Sequence, residues 1–243
     1  MKLEIDVITI FPEFFEKPIQ FGPIKRARDA GVLEVKLLNL REFAPTPKEV
    51  DDYPFGGGSG MILKPEPIKK AIDSVKKEGG TVVLLSPQGV TFNQKLARRL
   101  AEESQIILIC GRYKGVDERI MKYVDMELSI GDYVLSGGEP AALVVIDAVS
   151  RLLPGALGSE DSAETDSFEW GILDAPYYTR PRVFDGMEVP EVLLSGDHAR
   201  IERWRRKEAL RRTLKKRPDL LDKALLDKKD LELLEEIKKE EGL

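Results

Sequence analysis

The chain has 243 residues, 42% of them hydrophobic and 33% charged, with a formal net charge of -5 at pH 7. This composition describes an ordinary globular protein able to bury a core, and it excludes a fibrous or wholly disordered chain. One Cys and one His exclude an intramolecular disulfide framework and argue against a His/Cys zinc site, and no apolar run approaches the roughly 18 residues of a spanning helix.

The N-terminal stretch MKLEIDVITIFPEFFEK has no long apolar core with a small-residue cleavage site. A cytoplasmic location without a membrane partner is therefore expected. The segment Leu3 to Ile10 alternates and is β-branched, so it predicts a strand ended by Phe11-Pro12. Residues 14–30 are helical in parts, broken by Pro18, Gly22 and Pro23 and stopped at Gly31. A second strand is expected over 32–40. Residues 46–61 are loop, rich in Gly. Pro65 opens a helix over 65–78, with Ile68, Ala71, Ile72 and Val75 at helical spacing. Thr81 to Leu85 and Ile106 to Cys110 are short apolar runs typical of buried parallel strands, with a helix capped by Asn93 between them. A short helix over 116–123, a strand over 124–130 and an apolar helix over 141–153 complete a βαβα alternation. The prediction is an α/β fold, a mostly parallel open sheet with helices on both faces.

From Gly158 to Glu169 the chain carries five acidic residues, no basic ones and four Ser or Thr. This marks a mobile linker, 158–174, between a first domain over 1–157 and a small all-helical domain over 175–243. Asp197 caps a predicted helix through about Leu214, with further helices near 219–226 and 230–241. The modest net charge hides an asymmetry: Gly196 to Arg217 holds ten basic and three acidic residues, and Asp219 to Leu243 holds nine acidic and five basic. The first of these reads as a phosphate-contact surface, because Arg exceeds Lys and few acids balance it.

Three runs follow apolar segments directly: Ser86-Pro87-Gln88-Gly89, Cys110 to Gly115 (CGRYKG) and Ser129 to Glu139 (SIGDYVLSGGE). Small side chains and exposed backbone groups at successive strand ends suit a ligand crevice, and one built for a nucleoside-like cofactor in the absence of a phosphate cradle. Plain turns are the competing reading. Phe55 to Met61 (FGGGSGM) is neither a Walker loop nor a dinucleotide fingerprint, and reads either as a connector or as a loop closing over ligand. Glu139 suits a helix's first turn and Arg151 its last; Asp166 reads as solvated surface, and Cys110 as a core thiol.

Taken together, ITIFPEFF (8–15), YPFGGGSGM (53–61), LSPQG (85–89), CGRYKGVDER (110–119), SIGDYVLSGGE (129–139), DAVSRLLPG (147–155), DSF (166–168), YYTRP (177–181) and GMEVPEVLLSGDHARIERWR (186–205) closely resemble the bacterial tRNA (guanine-N1)-methyltransferases acting at guanosine 37. These belong to the trefoil-knotted (SPOUT) methyltransferases. The resemblance implies a deep knot formed by the three strand-end runs and holding S-adenosyl-L-methionine. Carried over by motif, its contacts are Leu85, Ser86, Pro87, Gln88 and Gly89, then Gly111 and Tyr113. Ser129, Ile130, Gly131, Asp132, Tyr133, Val134 and Leu135 follow, with Gly137 and Gly138. It further implies Asp166 as general base, Arg151 stabilising charge on guanine O6, a homodimer with its active site at the subunit interface, and a Mg²⁺ requirement with no ligand nameable from the chain. The implied partner is the tRNA anticodon stem-loop, with guanosine 36 before the target. Lys114 departs from the family, whose members commonly carry Glu there, and GGEPAA is one residue shorter than in many relatives. Another RNA target, or a non-catalytic RNA-binding module, are the alternatives.

Overall fold

In the computed structural model, which describes residues 2–157 and 166–242, the chain divides into two units, Met1–Glu160 and Asp161–Leu243. The strands of the first are β1 (Leu3–Thr9), β2 (Leu33–Asn39), β3 (Asp51–Asp52), β4 (Ile62–Leu63), β5 (Thr81–Thr91), β6 (Gln105–Cys110) and β7 (Met126–Ser129). Its helices are α1 (Glu13–Glu16), α2 (Gly22–Asp29), α3 (Pro65–Val75), α4 (Gln94–Ala101) and α5 (Glu139–Ser150). Five strands form one sheet in the order β2-β1-β6-β5-β7, every pairing parallel.

Alternation of side chains along each strand sends apolar residues to both faces. Ile5, Val7, Val83 and Leu108 pack with Ala27, Leu100, Val145 and Val149 of α2, α4 and α5. Ile8, Val82, Leu84, Ile107 and Ile109 pack with Ile68, Ala71 and Ile72 of α3. The expected parallel sheet with helices on both faces is what forms. Asn93 caps α4 by accepting from the Leu96 amide, as its position predicts.

Several boundaries differ from expectation. The helix expected over 116–123 is a 3₁₀ turn, Glu118–Tyr123, entered through Asp117, whose side chain caps the Arg119 amide. The strand expected over 124–130 is shorter, because Asp125 turns to accept from the Val82 amide and Ser129 bonds back to Gly131. The largest difference lies in β5. It does not end at Leu85: Leu85 and Val90 both pair with Leu128, so Ser86 to Gly89 leave the ladder and the strand then resumes beside the same neighbour. The first predicted strand-end loop is therefore an excursion within a strand.

One buried carboxylate stands apart from this packing. Asp6, in β1, is 1% exposed; its Oδ2 accepts from Gln105 Nε2 at 2.6 Å, while Oδ1 has no hydrogen-bond partner. Burial pushes its carboxyl up from the ordinary value, partly offset by the Gln105 hydrogen bond and by Lys36 and Lys77, while Glu4 adds to the rise. The folded state thus holds this proton more tightly than the unfolded chain does. Ionisation of Asp6 costs stability as pH rises from the unfolded carboxylate value, about 3.9, through the raised folded one. Asp6→Asn is expected to raise the melting temperature at about pH 8 by a few degrees, with the gain vanishing toward about pH 3. Thermal melts of both proteins across that range check it; a gain independent of pH would contradict the assignment.

The second unit is helical: α6 (His198–Lys216) and α7 (Lys228–Glu241) pack through Ala209, Leu210, Leu233, Leu234 and Ile237, joined by Ile172 and Ala175. Asp197 caps α6 as expected. Asp227 and Asp230 form a reciprocal capping box that starts α7. Residues 219–226 do not form the expected helix; Pro218–Leu220 is a 3₁₀ turn, and the backbone at Ala224 meets Gly171, where an added Cβ would lie 3.0 Å from Ala224 Cα. The irregular stretch 176–190 contains an unexpected hairpin, β8 (Val183–Phe184) with β9 (Met187–Glu188). Its two-residue turn, Asp185-Gly186, has both φ angles positive, the geometry that Asp-Gly favours.

The basic run also reads differently in three dimensions. Arg203 and Lys207 pair with Glu236, Arg206 with Asp230, Arg211 with Glu208 and Glu240, and Lys215 with Glu241. Apart from Glu208, which lies on α6 itself, these balancing acids are supplied by α7, across the helix pair. Arg206 grips Asp230 with two 2.7 Å bonds and holds that carboxyl below its ordinary value despite burial.

Candidate active site

The three runs identified in the sequence meet where the Ser86–Gly89 excursion of β5 lies beside the carboxyl ends of β6 and β7. Gly138 donates to Gly111 O at 2.9 Å, and Arg112 and Gly137 form an antiparallel bridge. These approaches require small residues. A Cβ on Gly138 would lie 2.8 Å from Cys110 Cα, and one on Gly89 only 2.2 Å from Leu128 N. Gly131 has the same role: at φ +147° it lets the Tyr133 ring fold back, with the phenol donating to Ile130 O at 3.2 Å. Tyr113 is itself held at φ +60° in the turn closed by Gly115 N and Arg112 O.

Between these runs lies a cleft of about 480 Å³, within the range of small-molecule sites. Leu85, Ser86, Pro87 and Gln88 line it, as do Gly111, Tyr113, Ser129, Ile130, Gly131, Tyr133, Val134, Leu135, Gly137 and Gly138. Two of the expected residues do not. Gly89 is pressed against the Glu127–Leu128 peptide, which makes it a crossing residue, and Asp132 is exposed outside the lining. The lining also includes Arg112, Lys114, Glu118, Met121, Glu127 and Ser136, which the sequence reading did not assign. Lys114 is tied to the Gly-rich loop, its amide donating to Met61 O and its stem lying against Gly60. Through Leu63, which bonds to both Gly115 and Asp117, strand β4 joins the second run. The end of FGGGSGM is thus anchored to the cleft wall.

Behind the cleft, Glu139 is fully buried, more than a first-turn carboxylate requires. It accepts from Thr9 Oγ1 at 2.8 Å and from Arg112 Nε at 3.0 Å. Cys110 beside it is kept a neutral thiol: burial and then Glu139 push its pKa well up, against a smaller opposite pull from Arg112. That is a core thiol and a poor nucleophile.

Arg151 is half-buried and ends α5, its amide donating to Asp147 O. In the second unit, Asp166 is half-buried at the start of a turn in which Glu169 N bonds Asp166 O and Phe168 N bonds Ile172 O. Ile172 roots that turn in the helical core. Most of the acidic stretch expected to be mobile, residues 158–165, lies outside the described residues. Among the described residues there is no group of three or more His, Cys, Asp or Glu that could hold a metal ion. No helix among them is long and apolar enough to cross a membrane.

Comparison with known proteins fits this geometry. The family model described as tRNA (Guanine-1)-methyltransferase TrmD matches residues 3–223. A tRNA (guanine-N(1)-)-methyltransferase of Dictyoglomus turgidum is 59% identical over 239 residues, covering 98% of each chain. Proteins of the same description from Dehalococcoides mccartyi and Moorella thermoacetica are 55% identical over 245 residues and 53% identical over 246, covering 98–99% of each chain. The chain, with its parallel sheet, glycine-dependent crossing and a cleft built from three runs, belongs to the tRNA (guanine-1)-methyltransferase family.

Proposed function

We propose that this protein transfers a methyl group from S-adenosyl-L-methionine to N1 of guanosine 37 in tRNA, reading guanosine 36 beside it. The observation that carries the proposal is the cleft between the Ser86–Gly89 excursion of β5 and the carboxyl ends of β6 and β7, in a chain that matches its family from residue 3 to 223. The cofactor supplies an electrophilic methyl on a sulfonium. Apolar side chains such as Leu85 and Leu135, with the backbone at Gly111 and Gly137, suit an adenosine, and glycine permits the close approach that backbone recognition needs. The expected contacts at Ser86, Gln88, Tyr113 and Ser129 remain part of this reading. Gly89 serves it indirectly, by letting the chain cross.

Guanine N1 carries a proton and no available lone pair, so the reaction needs a base. Asp166 takes that proton, a role worth roughly 10²–10⁴-fold. As the proton leaves, negative charge grows on O6, and Arg151 stabilises it. The enzyme acts as a homodimer in the cytoplasm, with the active site shared between subunits. A magnesium requirement, with no ligand assigned, belongs to the same reading, and no step here depends on it. Of the basic helix, Arg200, Arg212 and Lys216 lie outside the ion pairs with α7 and are the phosphate contacts this reading favours. The reading as a non-catalytic RNA-binding module weakens accordingly, since most of that charge has an internal partner.

The test is methyl transfer from labelled cofactor into unmodified tRNA, followed by digestion to nucleosides. Label is expected in 1-methylguanosine. Label in another nucleoside, or in guanine methylated at a different atom, would overturn the proposed chemistry.

A further inference from the structure

The pair Arg112 and Glu139 is made more elaborately than holding two loops together requires. Each carboxylate oxygen of Glu139 has its own donor: Thr9 Oγ1 at 2.8 Å and Arg112 Nε at 3.0 Å. Thr9 Oγ1 in turn accepts from the Phe11 amide at 2.9 Å. A second guanidinium nitrogen of Arg112 donates to Ser136 O at 3.3 Å, and the guanidinium carbon lies 4.5 Å from the centre of the Phe11 ring. There is no slack at the junction, since a Cβ on Gly137 would lie 2.4 Å from Arg112 Nε and 2.5 Å from Glu139 Oε2. Three stretches distant in sequence, 9–11, 110–112 and 136–139, are thereby fixed to one planar group.

We propose that Arg112 and Glu139, braced by Thr9 and Phe11, are positioning residues that set the spacing of the two cofactor walls. This rests on reading the cleft as the S-adenosylmethionine site. Arg112 stands between Gly111 and Tyr113, and Glu139 directly follows Gly137 and Gly138; all four neighbours line the cleft. A small displacement of the guanidinium moves both walls. A cofactor held between two walls loses contacts when their spacing changes, so the effect falls first on its affinity. Adhesion alone would not call for this arrangement. A buried ion pair gives little or no net stability over an apolar pair of similar size, and what it adds is direction. Arg112 already has its Nε and one terminal nitrogen engaged within the protein, so it acts through the loops and not as a catalytic residue.

The test compares wild type with the double variant Arg112→Met, Glu139→Gln, which leaves no unpaired buried charge. Binding of S-adenosylhomocysteine is measured by titration calorimetry, and KM for cofactor and for tRNA by steady-state kinetics. The double variant is expected to unfold cooperatively, to bind S-adenosylhomocysteine about tenfold or more weakly and to show a raised cofactor KM with the tRNA KM unchanged. Affinity within about twofold of wild type would overturn the proposal. So would a fall in kcat with both KM values unchanged, the pattern of a simple loss of folded enzyme. Failure of the wild type itself to bind would instead remove the cofactor reading of the cleft, and this proposal with it. Should the double variant not fold, Arg112→Lys carries the same comparison, since it keeps the charge and loses the planar fork.

Discussion

Gly89→Ala is expected to destabilise the first unit by about 3 kcal/mol or more, lowering its melting temperature by roughly 6–12 °C. The new Cβ would sit 2.2 Å from Leu128 N and 2.3 Å from the Glu127 carbonyl carbon. Both are backbone atoms of the sheet, so no side chain can swing aside. The excursion from Ser86 to Gly89 must shift, and with it the point at which β5 rejoins Leu128. Gly111→Ala provides the contrast: its nearest new neighbour is Val116 Cγ1 at 3.8 Å, an ordinary contact. That variant should melt close to wild type yet lose cofactor affinity, because the methyl projects at the cleft lining. Melting curves with and without S-adenosylhomocysteine separate the two effects. A Gly89→Ala protein melting within about 2 °C of wild type would show that the crossing is looser than described.

Asp166→Asn is expected to lower kcat by about 10²–10⁴-fold while leaving cofactor affinity unchanged. Asparagine keeps the size of the side chain, but it cannot accept the N1 proton at neutral pH. The rate of the variant should climb as pH rises and the substrate loses that proton unaided. Single-turnover assays across pH, with cofactor binding measured in parallel, test both statements. Wild-type turnover would remove Asp166 as the base. Loss of cofactor binding alongside turnover would point to a structural role.

The sheet was legible because its strands are short, continuous apolar runs separated by caps and glycines, and these local signals agree with the final packing. Asn93, Asp197 and the Pro at the start of α3 each act where their chemistry predicts. What local pattern could not convey was pairing between distant residues. Nothing around Ser86 to Gly89 indicates that Val90 will return to Leu128, because that depends on a neighbour some forty positions on. Glu139 looks like a first-turn carboxylate until Thr9 and Arg112 are brought to it. The basic run from Arg200 to Arg217 resembles a bare phosphate surface until α7 supplies Glu236, Asp230, Glu240 and Glu241. The Asp185-Gly186 hairpin has a local signal in its dipeptide, set among aromatics that do not alternate as strands do.

The trefoil knot of this family has the same character. It is a relation among three runs, which periodicity in any one of them cannot express, and knotted chains are rare among folds. Its physical trace here is the set of glycines at the crossing. Gly89, Gly137 and Gly138 each occupy a place where a single added carbon would collide with neighbouring atoms.

The most direct measurement uses two tRNA transcripts identical except at position 37, one with guanosine and one with another base, each incubated with labelled S-adenosyl-L-methionine and the wild-type protein. Label is expected in the first transcript and not in the second. Equal labelling of both would contradict the account by showing that the methyl group goes elsewhere.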